Sequence, residues 1–86
     1  MEGAQPYVIS LGAYNLVLIK AKKGYIMCGY LNLETAERLG DAACIITGVK
    51  TADDMLKAQV KSCTTNAKRL GIKEGMSGQE ALKLLS

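Results

Sequence analysis

The chain opens with short apolar runs separated by polar or glycine breaks, the spacing of strands rather than of long helices. Positions 7–11, "YVISL", alternate loosely and predict a strand, with the single proline, Pro6, just ahead of it where it does no harm. Positions 16–19, "LVLI", are apolar without interruption, and after "KAKKG" a second apolar run covers 25–31. Two such runs around a lysine-rich tip predict a hairpin, closed by Gly24 at positive φ. A strand that is apolar on both faces has to be covered on both. One or two helices of so short a chain cover one side, so the pattern predicts a partner subunit on the other.

Beyond the hairpin the period changes. Asn32 is placed to cap a short helix over Leu33–Leu39, with Gly40 as its stop. Positions 42–47, "AACIIT", predict a strand, and Gly48, Val49 and Lys50 the turn out of it. Thr51 with Asp54 three residues on reads as a capping box that opens a long helix over 52–70, stopped by Gly71. Leu56, Val60, Cys63, Ala67 and Leu70 recur at steps of three and four, which would align them on one helical face. Ser77 with Glu80 starts a last short helix. The fold class is therefore α/β in the broad sense (α+β): N-terminal strands, then strand, helix, strand, helix, helix, with one sheet packed on helices. A single domain is expected over 1–86, with 1–31 as the assembly region and 32–86 carrying the strand and helix region.

Composition sharpens this picture. The 86 residues are 49% apolar but contain no Trp and no Phe, so the core is aliphatic. A chain of this size hides only about 60–65% of its unfolded surface on folding, and association is one remedy. Eleven basic residues against eight acidic ones give a net charge of +3 dispersed along the chain. That balance favours solubility without implying a nucleic-acid partner. The first residues lack the basic and apolar blocks of a signal peptide, and no apolar run is long enough to cross a bilayer. The expectation is a cytoplasmic protein with no membrane partner, whose three widely spaced cysteines stay reduced. Histidine is absent, which removes imidazole-assisted nucleophiles and His-rich metal sites. No CxxC spacing occurs, so no metal and no cofactor are expected.

The pieces "MCGYLN", "RLGDAA", "TGVKTADDML" and "GMSGQEAL" together give the chain, from about Ile19 onward, a resemblance to the YunC-like family. These are small bacterial and archaeal proteins classed as a domain of unknown function. The resemblance implies an α/β domain whose N-terminal strands assemble a tetramer, and no settled activity.

Candidate chemistry collects at one edge. If the strands at 25–31 and 42–47 are parallel neighbours, the helix starts at Asn32 and Thr51 open on the same edge of the sheet, where α/β proteins favour ligands. Gly29 and Gly48 would allow close approach of a ligand to the backbone, and Lys50 would add charge. This set, Gly29, Asn32, Gly48, Lys50 and Thr51, predicts a site for a small anion, against ordinary capping by the same residues. Cys28 and Cys44 would lie at the same level on the two strands as a thiol pair. Both lie in apolar runs, where a free cysteine is an ordinary buried residue. Lys20, Lys22 and Lys23, with the lysines of the long helix, are better read as solvated faces than as a phosphate-binding patch, because no aromatic residues interleave with them. Two functions follow: a homo-oligomeric ligand-binding or scaffold module, or a thiol-dependent enzyme or redox or metal protein with Cys28 as its catalytic group.

Overall fold

The structure is a computed structural model and describes residues 3–86. Its centre is a five-stranded sheet in the order β1 (Gln5–Ser10), β2 (Asn15–Lys20), β3 (Gly24–Met27), β4 (Ala42–Ile45), β5 (Ser62–Cys63). Neighbours are antiparallel except β3 and β4, which are parallel. Helix α1 (Leu33–Leu39) forms the crossover between the parallel pair, and α2 (Ala52–Lys57), α3 (Thr65–Arg69) and α4 (Gly78–Leu85) follow β4.

Side-chain alternation divides the sheet into two packed faces. Val17, Ile19, Ile26, Cys28, Cys44 and Ile46 point to one face and join Met55, Ala81, Leu82 and Leu85 from α2 and α4 in the larger core. Met27 and Ala43 point to the other, where Ala36 of α1 and the half-buried Leu18, Tyr25 and Ile45 cover them. The helices start where their caps are: Asn32 Oδ1 accepts from Glu34 N at 2.8 Å, Thr51 Oγ1 from Asp54 N at 3.1 Å, and Ser77 Oγ from Glu80 N at 3.1 Å. Gly40 ends α1 in the left-handed region.

The expected hairpin is β2 with β3, pairing Leu18 with Met27 and Lys20 with Tyr25. Gly24, however, is not at positive φ. Its requirement is space: a Cβ there would fall 1.9 Å from the Ala42 carbonyl oxygen on the neighbouring strand. The hairpin tip is tied down by Lys23 N, which donates to Leu85 O at 2.7 Å. Strand ends also move. Pro6 lies inside β1, tolerated there because β1 is an edge strand. β3 stops at Met27 and β4 at Ile45, before the apolar runs end.

The long helix over 52–70 does not exist. It is divided into α2, the two-residue β5 and α3, with Ala58 extended at the end of α2. Val60 N donates to Met76 O at 2.7 Å and Gly75 N to Val60 O at 2.8 Å, so this stretch pairs with chain far ahead instead of with its own preceding turn. Thr64 then caps α3 through its hydroxyl, the competition with the backbone that keeps Ser and Thr out of helix interiors. Val60, Cys63 and Ala67 are all buried as expected, but from a connector, a strand and a helix. Leu56 and Leu70 of the same expected face are half-buried, and the buried residue of α2 is Met55, which lies off that face.

The sheet's outer side also differs from expectation. Val17 and Ile19 of β2 are covered within the chain, and Leu16 and Leu18 are half-buried. The strand left open is β1, exposed at every position from Gln5 to Ser10. Among the described residues, no helix is long and apolar enough to cross a membrane.

Candidate functional site

β3 ends because Cys28 leaves the ladder. Its carbonyl accepts from Leu31 N at 3.2 Å and closes the tight turn Cys28-Gly29-Tyr30-Leu31, while its Sγ accepts the buried Val17 N–H at 3.2 Å. The thiol thereby satisfies a β2 donor beside the end of the strand. Across the parallel pair, the chain leaving β4 turns at Gly48, φ +76, with the Val49 side chain folded into the core. The loop between β1 and β2, with the first residue of β2, completes the arrangement. Asn15 Nδ2 donates to Lys50 O at 2.9 Å, and Tyr30 Oη donates to Tyr14 O at 3.2 Å.

Three loops are thus stitched together at the edge where the parallel strands finish. They enclose a cleft of about 480 Å³ lined by Tyr14, Asn15, Cys28, Gly29, Tyr30, Gly48 and Val49. Its lining is neutral. Cys28 is 3% exposed and forms the inner wall, while Tyr14 and Tyr30, 56% and 49% exposed, flank the mouth.

Of the residues singled out in the sequence, Cys28, Gly29 and Gly48 line this cleft. Lys50 follows Val49 and is held at the margin through its carbonyl bond to Asn15, and its N–H donates to Asp54 Oδ2 at 3.3 Å. Asn32 and Thr51 flank the cleft loops, with their side-chain oxygens occupied by the α1 and α2 caps. Tyr14, Asn15, Tyr30 and Val49 were not singled out. The hairpin register contains the missing signal for two of them: continuing Leu18 opposite Met27 places Asn15 opposite Tyr30.

The expected pairing of Cys28 with Cys44 is corrected. Cys44 lies beside Ile26 on β3, two residues short of Cys28, and directly opposite Cys63 on β5. All three cysteines are free and buried. Burial pushes the Cys44 thiol up to about 12, with neighbouring Cys63 adding to the effect. Among the described residues, no three His, Cys, Asp or Glu side chains gather as a metal site.

The opposite end of the parallel pair is polar and closed. Tyr25 Oη donates to Asp41 Oδ2 at 2.7 Å, and burial together with that carboxylate raises the phenol to about 12. The Thr64 hydroxyl donates to Asp41 O at 2.8 Å and accepts from Ala43 N at 3.0 Å and Ala67 N at 3.3 Å. Glu37 accepts from the Thr65 hydroxyl and backbone N–H, which holds its carboxyl below the ordinary value. This cluster fastens α3 to α1 and to β4.

The family described as "Domain of unknown function (DUF1805)" matches residues 27–85. The chain belongs to the DUF1805 family. It is similar to the uncharacterized protein YunC of Bacillus subtilis (strain 168), 40% identical over 89 residues that span 95% of this chain and 87% of YunC. It is also similar to the crystal structure of a protein of unknown function, TA1206, from Thermoplasma acidophilum. There the TM-score is 0.85 at 38% identity, over 96% of this chain and 93% of that one. The DUF1805 match begins at Met27, so it takes in the cleft loops at 28–31 and 46–50 and leaves out β1 and β2.

Proposed function

We propose that this DUF1805 chain is a small-ligand-binding module that works as a homo-oligomer, with the cleft beyond β3 and β4 as its site. The observation that carries the reading is the cleft's construction: three loops from distant parts of the chain, cross-linked by side chains, around about 480 Å³ of space. Gly29 and Gly48 expose backbone to a ligand, Tyr14 and Tyr30 offer flat apolar walls, and Lys50 at the margin suits a carboxylate or phosphate group. Asn32 and Thr51 contribute by fixing the helices that hold the two loops. A thermal-shift screen of carboxylate- and phosphate-bearing compounds tests this. Lys50→Ala is expected to weaken any stabilisation, and Lys22→Ala on the hairpin tip to leave it unchanged. Equal loss in both variants would sink the site assignment.

A second reading follows from Cys28 on the cleft wall, where a bound substrate would meet a thiol. In that case native iodoacetamide labelling is expected at Cys28 ahead of Cys44 and Cys63, and ligand is expected to slow it. A silent Cys28 leaves the binding module.

Self-association is proposed through β1. An exposed edge strand carrying Tyr7, Val8 and Ile9, each more than 40% exposed, is the kind of surface that pairs with another chain. A tetramer in the cytoplasm is the assembly proposed. Light scattering after size exclusion is expected to give a mass above a dimer's, and a clean monomer at micromolar concentration would refute it.

A further inference from the structure

Cys44 and Cys63 are nucleophilic groups that the cleft does not use. Thr64 N donates to Ala43 O at 2.9 Å, and in the register of β4 with β5 these two residues face each other next to the Cys44 and Cys63 pair. On the other side Lys61 N, in place of Ser62 N, donates to Ile45 O at 2.9 Å, so β5 carries one extra residue against β4 there, while Cys44 and Cys63 remain directly opposed partners. Directly opposed residues of an antiparallel ladder bring Cα atoms to about 4.5–5.5 Å, inside the range of about 4.4–6.8 Å that a disulfide spans. Directly opposed residues point to the same face, and both cysteines belong to the same core cluster.

We propose that Cys44 and Cys63 form a reversible cross-strand disulfide by exchange with a low-molecular-weight disulfide. Cys63 reacts first, because it lies on a two-residue strand at the sheet edge and is 6% exposed, against 0% for Cys44. Its deprotonated sulfur attacks the small disulfide, the small S–S bond breaks, and one small thiol leaves carrying a proton. Cys44, after giving up its proton, attacks the Cys63 sulfur of the mixed disulfide and expels the second small thiol. Two protein thiols are oxidised and one small disulfide is reduced to two thiols. Burial raises both protein thiols above the ordinary range, with the Lys68 ammonium pulling Cys63 the other way, so exchange is slow and waits on opening of β5. The bond closes the segment 45–62, which carries α2 and the cleft residues Gly48 and Val49.

The test uses the whole native chain and oxidised glutathione, followed by alkylation of remaining thiols and trypsin. Cleavage after Arg38, Lys50, Lys61 and Lys68 leaves Cys44 in 39–50, Cys63 in 62–68 and Cys28 in 24–38. The expected product is 39–50 joined to 62–68, separated again by dithiothreitol and absent from Cys63→Ser. Glutathione retained on Cys63 without the internal bond, a bond to Cys28, three fully alkylated thiols, or a linked pair that forms only in urea would each overturn the proposal.

Discussion

Where β3 and β4 begin, Tyr25, Asp41, Thr64, Glu37 and Thr65 answer one another's hydrogen bonds and pull α1, α3 and the sheet together. Where the same two strands finish, loops lean on each other across an open space walled by neutral side chains. The contrast separates two uses of polar residues. At the closed end they are saturated by the chain itself, and at the buried Thr64 removing the hydroxyl leaves the Ala43 N–H without its partner. At the open end the bonds join loop to loop and leave the tyrosine faces and glycine backbones available to a ligand. The closed end is therefore expected to carry stability, and the open end binding.

The largest expected effect is at the closed end. Gly24→Ala places a Cβ against backbone atoms of Ala42, which cannot move without parting β3 from β4. A loss of about 3 kcal/mol or more is expected in urea unfolding. Thr64→Val comes next. It removes a hydroxyl that donates to Asp41 O and receives two backbone N–H groups, for an expected cost of about 2 kcal/mol by the same measurement.

Smaller effects follow with pH, and the two titrations act at opposite extremes. Glu37 has its carboxyl held below the ordinary 4.5 by Thr65, so its contribution is present above that value and is lost as pH falls through the lowered one. The advantage of the native chain over Glu37→Gln is expected to disappear in acid. Tyr25 is raised from 10.0 to about 12, so its contribution is complete below 10.0 and fades as pH rises through about 12. Tyr25→Phe is expected to flatten the alkaline limb of the stability curve. The smallest change is expected at the open end, where Tyr14→Ala, at an exposed loop position, shifts stability by no more than about 0.5 kcal/mol. A larger loss there would blur the distinction between the two ends.

Legibility in the sequence followed the range of the interactions. Caps at Asn32, Thr51 and Ser77 depend on neighbours two or three residues away, and all three are in place. The β2 and β3 hairpin and the parallel β3 and β4 pair were readable from apolar runs and their spacing. The division of 52–70 was not, because it depends on Val60 bonding to Gly75 and Met76, partners beyond any local window. At the cleft, Cys28, Gly29 and Gly48 could be named because their loops end predicted strands. Tyr14 arrives from the β1 to β2 loop and Asn15 from the start of β2, and Asn15 needed the hairpin register to place it. The cysteine pairing was misjudged for the same reason: β5 was hidden inside an apparent helix.

The claim that the open end binds a ligand is tested most directly by amide chemical-shift mapping of the native chain against the compounds that raise its unfolding temperature. The account predicts shifts concentrated at Tyr14, Asn15, Gly29, Tyr30, Gly48 and Val49, with the amides of Thr64 and Thr65 unmoved. Shifts centred on the closed end or on the hairpin tip at Lys22 and Lys23 would contradict it.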